Sequence, residues 1–456
     1  MTNEGLLEER IGEWRQYFRR RQAVSSVDVE ELEDHLRSQV EALSAVGLNA
    51  DEAFIVAVKR LGDLDSVSRE FAHEYSERLW KQLVVSPGAG PSSPTAHRDT
   101  VLAVGLAMAA AVALRIPELF GRHIAGKNAD EAFYMHNIGL LVLPFLAVFF
   151  GLKRDLQRSA WSRLAIPFIG AALIMNLLPF HPKGDTEVLS TIHLPIALWL
   201  TAIGFAYVGS RWRNQDQRMN FVRFSGEWFI YFVLIALGGA VLMFFTMFIF
   251  RAIGFDAEPL IQSWLLPCGA AGAVLIAAWL VEFKQSVIES MAPVLTLLFT
   301  PLFTVLLLIY VVTILWTGNP IDLKREMLIG FDLLLVLVLG LLLYAISARD
   351  SQAQPGRFDW LRLLLLLCAM VVDAFALWAM VARTSEFGWT PNRTAALGLN
   401  LLLLVNLGWS AVLYGKFLEK QSPFARLERW QTGYLPAFAV WAWIVVAIFP
   451  VIFHYR

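Results

Sequence analysis

Few side chains in this 456-residue sequence could do chemistry, because its charges thin out where its apolar runs begin. There is no Gly-x-x-x-x-Gly-Lys-Ser/Thr loop to cradle a phosphate, no His-Glu-x-x-His metal pair and no Gly-x-Ser-x-Gly elbow. No catalytic residue, metal ligand or cofactor site is therefore assigned. The eight histidines are scattered. His136, His181 and His193 fall near the ends of apolar runs, but no two share a helix at ligand spacing. Cys268 and Cys368 sit inside apolar runs, where a thiol packs as a small hydrophobe.

The informative residues are polar groups that apolar runs should not contain. An unpaired charge in hydrocarbon costs several kcal/mol, so a retained one is paired or hydrated. Arg115 stands about 14 residues into its run and Asp373 about 12 into another, while Asp332 enters a third from the opposite end. At 1.5 Å per residue all three lie about 18–22 Å from the same boundary, with Asn176 and Asn400 at similar depth. Five polar side chains from five spans at one level imply a shared ligand pocket, with Arg115 and Asp373 as its pair. The alternative is that Arg115 snorkels outward beside Glu118 and that Asp332 marks a later helix start. A second candidate is the corner formed by Arg383, Glu386 and Arg393. It flanks a Thr-Pro-Asn turn and could clamp an anionic group through a planar arginine fork, or serve only as a charged re-entry corner.

The elements that must position these residues follow from composition. The chain is 57% apolar and 17% charged, well below the quarter charged that is usual in soluble domains. Of its 77 charged residues, 28 fall in positions 1–82. This divides the chain into a charged helical domain (1–82), a tether (83–99) and a polytopic membrane domain (100–456). The tether reading rests on "VVSPGAGPSSPTAHRDT", which is too rich in Pro, Gly and Ser to build a core. From Thr100 onward eleven apolar runs recur, each about 20 residues and long enough for a roughly 30 Å hydrocarbon core. They lie near 101–121, 137–152, 163–180, 190–209, 227–250, 261–282, 295–316, 327–347, 361–382, 395–415 and 433–453. The fold class is thus all-α, a membrane helix bundle. Lys and Arg concentrate in alternate loops, notably 210–226 and 416–432, which predicts a cytosolic N-terminus in a cytoplasmic membrane and an external C-terminus. A net charge of −1 argues against a nucleic-acid partner.

The front end reads as four amphipathic helices, near 5–22, 27–46, 50–61 and from Asp63 or Asp65 onward. Asn49 and Glu52 have capping-box spacing. His35 beside Asp34 and Glu31 reads as a solvated helix face. The Arg19–Arg21 run reads as a helix end, with contact to anionic lipid as the alternative. Two resemblances attach to these residues. The run "ELEDHLRSQVEALSAVGLNADEAFIVAVKRLGDLDSVSREFAHEY" (31–75) resembles the helical prefix domain ahead of some bacterial permeases. It also resembles the related domain on membrane partners of PadR-type repressors, which implies a cytosolic interaction module. "LFTPLFTVLLLIYVVTILWTGNP" (298–320), "YAISARD" (344–350) and "DAFALWAMVARTSEFGWTPNRTAALGLN" (373–400) resemble bacterial integral membrane proteins catalogued as domain of unknown function 4153. The likeness covers roughly 220–456 and departs at Phe387, where the family pattern has Tyr. It implies an all-helical membrane bundle and no established activity.

Three functional classes are consistent with these readings. The first is a sensory or regulatory membrane protein, its bundle detecting a ligand or lipid and residues 1–82 relaying to a cytosolic protein partner. The second is a transporter or channel with its polar site in the outer half. The third, an enzyme on a lipid substrate, lacks any identifiable nucleophile, metal motif or acid–base pair.

Overall fold

The computed structural model describes residues 11, 26–45, 49–61, 94–126, 129–209, 214–252, 256–283, 291–317, 325–349 and 353–455. Among the described residues there is no strand. The chain divides into two compact units, Met1–Ser93 and Pro94–Arg456.

In the first unit α1 (Ser26–Ala45) packs against α2 (Ala50–Leu61). Leu36 and Val40 of α1 and Ala53 and Ala57 of α2 are buried, at the helical spacing expected of facing stripes. The capping box forms: Glu52 N–H donates to Asn49 Oδ1 at 2.9 Å, and Asn49 N–H donates to Glu52 Oε2 at 3.2 Å. Asp34 and His35 are exposed. The expected first helix apart from Ile11, the expected fourth helix, the Arg19–Arg21 run and residues 83–93 of the tether lie outside the described residues. Residues 94–99, assigned to the tether from sequence, instead form the first turns of a helix. Pro94 is no obstacle there, since proline has no N–H to lose at a helix start.

The second unit contains α3 (Pro94–Arg115, continued by a 3-10 turn, Ile116–Phe120), α4 (Glu131–Lys153) and α5 (Arg158–Leu177). Next come α6 (Asp185–Leu198, running through a π-helical stretch into Gly204–Val208), α7 (Gln215–Ala252) and α8 (Glu258–Leu260, a π-helical stretch Ile261–Leu265, then Leu266–Phe283). The remainder is α9 (Met291–Thr317), α10 (Arg325–Ser347), α11 (Arg357–Phe387), α12 (Pro391–Leu418), α13 (Ala425–Ala447) and a last turn, Phe449–Ile452. Among the described residues nine helices are long and apolar enough to cross a membrane, the pattern of a multi-pass membrane protein. The sequence reading of eleven spans differs at two helices. The described apolar part of α10 begins only at Asp332, and α13 opens with Arg426, Glu428 and Arg429, which lower its mean hydropathy.

Two apolar cores organise this unit. One gathers α3, α4, α5, α6 and α8; the other gathers α9 to α12. The first third of α7 feeds both, with Phe221 and Phe224 in the first core and Met219 and Val222 in the second. Beyond that, the most apolar window of α7 buries no residue. An apolar helix with no protein cover is stable only against lipid. α13 joins the cores by packing on both α6 and α12.

Candidate functional site

The polar residues of the second core are held by well-formed helix ends. Gly356 caps α11, and its N–H donates to Asp359 Oδ2 at 2.9 Å. Arg349 pairs with both carboxylate oxygens of Asp359, each at 3.2 Å, and Tyr414 Oη donates to Oδ1 at 2.9 Å. Arg362 adds a third cationic or hydroxyl donor at 3.1 Å. This buried network, in which both Asp359 oxygens are partnered, fixes the start of α11 against the end of α10 and α12. At the other end Gly388 takes φ +79°, where a side chain would be strained, and Thr390 Oγ1 accepts from Arg393 N–H to begin α12.

Between these anchors lies Asp373, fully buried, with neither carboxylate oxygen hydrogen-bonded. Asp332 of α10 is within electrostatic reach of it. Asn400 of α12 is also fully buried; its Nδ2 donates to Asp332 Oδ1 at 2.9 Å and contacts Met380 Sδ at 3.2 Å. Asn400 Oδ1 has no partner. α9, which packs along α11, brings a buried threonine face of Thr296, Thr300 and Thr304 at four-residue spacing. Thr304 Oγ1 donates to its own helix, to Thr300 O at 2.6 Å. Two carboxylates and an amide oxygen, with no described cation beside them, make an acceptor-rich site. It can take a hydrogen-bond donor or a positive charge.

The structure thus brings together three of the five expected pocket residues and places two elsewhere. Arg115 and Asp373 do not pair. α3 packs on α8 and α4, whereas α11 packs on α12, α9 and α10. Arg115 forms an ion pair with Glu118, lies 3.9 Å over the Trp264 ring and donates to Ser263 O at 2.5 Å. The last contact has a local cause. Ser263 stands four residues before Pro267, so its carbonyl is the one deprived of an α-helical N–H by the proline. Asn176, exposed on α5, exchanges two 2.9 Å amide bonds with Asn137 of α4. Equal depth along different helices did not imply a common azimuth.

At the corner, Arg393 Nη1 donates to Gly388 O at 2.8 Å, bracing the loop, and Glu386 is exposed. The three histidines each have a separate partner. His136 Nε2 meets Glu187 at 2.8 Å, His181 Nδ1 meets Tyr455 O at 3.1 Å and His193 Nδ1 meets Leu189 O at 2.8 Å.

Besides the Asp359 network, two further polar networks escaped the sequence reading. In one, Asn406 and Gln431 exchange side-chain bonds at 3.1 and 3.3 Å, and Gln431 reaches Ser410 at 2.7 Å. In the other, Glu282 accepts from Lys153 at 2.8 Å and Arg154 at 3.0 Å. The available signal was a polar residue inside an apolar run, which Asn406 provides as clearly as Asn400. Comparison of the chain with family models, curated proteins and solved structures yields no match.

Proposed function

We propose that this chain is a sensory or regulatory protein of the bacterial cytoplasmic membrane. It crosses the membrane eleven times from a cytosolic N-terminus. The Asp373–Asp332–Asn400 cluster is its ligand site, and the helices of the first unit relay occupancy to a cytosolic protein partner. The observation that carries the reading is a fully buried, unpartnered Asp373 in a membrane unit of a chain that also has a separate compact helical unit. A bundle built only for stability would gain by replacing that carboxylate with an apolar residue. Lys and Arg bias among the loops supports the orientation. The likeness of residues 31–75 to permease prefix domains, and of 220–456 to the family of unknown function 4153, supports the relay and the bundle.

Transport is the second reading, favoured by the position of the carboxylates among four packed helices rather than at a helix end. Amide hydrogen exchange on the full-length protein separates the two. If the first unit reads the site, Asp373→Asn should change exchange in residues 26–61 several-fold, while the surface substitution Glu386→Gln should not. Unchanged exchange in 26–61 would remove the relay and leave transport.

A further inference from the structure

We propose that the Asp373–Asp332–Asn400 cluster binds a single monovalent cation, either an alkali metal ion of the sodium class or a proton. This rests on reading the cluster as the membrane unit's ligand site, and it names the ligand. The first support is the identity of the orphaned atoms. Both oxygens of Asp373 and Oδ1 of Asn400 are unpartnered, and all three are acceptors. Asn400 is an independent witness, because it is no acid and is fully buried. Its amide is turned onto Asp332 at 2.9 Å, which leaves its oxygen unanswered. A buried acceptor without a donor loses its solvation uncompensated, the more so when it is charged. Asp332 links the two residues, bonded to Asn400 and within electrostatic reach of Asp373, so the orphaned acceptors favour an electropositive occupant among them.

The second support is that, among the described residues, the elements packed most closely on α11 bring no counter-charge to Asp373. α9 has no charged residue anywhere in Met291–Thr317 and brings the Thr296, Thr300 and Thr304 face, with Tyr310 further along. α12 has only Arg393 and Lys416, at its two ends, with Asn400 between. α10 has Asp332, and Arg325 and Glu326 at its start, whose side chains lie outside the described residues. On α11 itself Arg362 is committed to Asp359, and Arg383 lies ten residues beyond Asp373, about 15 Å along the axis. Asp373 has no ion-pair partner, and its one described charged neighbour is Asp332.

Burial sets the size of the occupant. With Asp373 and Asn400 both at 0% exposure, an organic ammonium or a hydrated divalent ion has no way to sit against them. A proton needs no added space, and a monovalent ion sheds its hydration more readily than a divalent one. Hard oxygen donors of this kind suit hard cations and do not select soft metals.

The test uses the purified full-length protein, with thermal unfolding followed by tryptophan fluorescence. Sodium chloride is titrated against choline chloride at fixed pH and ionic strength. In a second arm pH is lowered in choline alone. Binding to the folded state should raise Tm by about 3 °C or more in one arm. The response should vanish in Asp373→Asn, which supplies a neutral donor of the same shape. A sodium response lost in the variant establishes the metal ion. A response to pH alone, lost in the variant, establishes the proton. A wild-type protein indifferent to both overturns the proposal, as does a response that survives unchanged in Asp373→Asn. Should that variant fail to fold, Asp332→Asn provides the same comparison. The readout does not involve residues 26–61, so a positive result would stand even if the relay failed.

Discussion

At the scale of single residues, Arg115 shows how a charge in an apolar run can have a structural purpose. Its guanidinium answers Glu118, the Trp264 ring and the carbonyl that Pro267 orphans. Replacing Arg115 with Gln should therefore destabilise the membrane unit by about 2 kcal/mol, the worth of charge-assisted bonds at a partly buried site. The loss should shrink in a Pro267→Ala background, where the helix regains its own donor. It should add to that of Asp373→Asn within about 0.5 kcal/mol, as independent sites do. Denaturation of the two double variants checks both. Sequence made the presence of Arg115 and Asp373 legible but not their separation, because rise per residue gives depth and says nothing of direction around each helix. A surface pair offers a pH-dependent counterpart. Asp130, the N-cap of α4, is held below its ordinary 3.8 chiefly by the Arg122 guanidinium and then by the Phe133 N–H. A depressed folded value means stability present above the unfolded value and lost as pH falls. Wild type should thus lose more stability than Asp130→Asn as pH falls from about 5 to about 3. Parallel acid melts would refute the linkage.

At the scale of elements, α12 carries opposite instructions at two glycines. A Cβ at Gly398 would lie 2.1 Å from the Trp441 ring, which is itself packed edge-on against Phe449. The indole cannot yield, so Gly398→Ala should cost about 1–3 kcal/mol by overpacking the α12–α13 contact. A Cβ at Gly408 would meet only the flexible end of Met370 at 3.7 Å. Gly408→Ala should instead gain up to about 1 kcal/mol from helix propensity. Melting temperatures that move in the same direction would contradict the assignment. The elements themselves were largely legible, since capping chemistry is local: Asn49 with Glu52, and Thr390 with Pro391, each mark a helix start in the structure. Asp359 was not singled out. Its partners Arg349 and Tyr414 come from the turn after α10 and from α12, and no local pattern announces a bond across that separation.

At the scale of the whole molecule, the ends of α13 bear on whether it spans with its neighbours. Its start lies beside the start of α7: Gln215 Nε2 donates to Ala425 O at 3.4 Å, and Arg429 Nε donates to Gln215 Oε1 at 3.2 Å. Gln215 follows directly on the loop after α6. At its far end, Ser190 Oγ donates to Val446 O at 3.3 Å, and His181 N–H donates to Tyr455 O at 3.0 Å. His181 stands just before α6 begins. α13 therefore runs antiparallel to α6, although it is not among the nine described helices that are long and apolar enough to cross a membrane. If Asp185–Val208 crosses the membrane, α13 crosses with it. A reporter fused after Arg456 should then share its side with one placed in the 178–184 loop and oppose one placed at 209–214. Under the basic-residue bias that shared side is external. A C-terminal reporter active on the same side as the 209–214 insertion would mean that α13 lies within one leaflet. The eleven-span arrangement would fall with it.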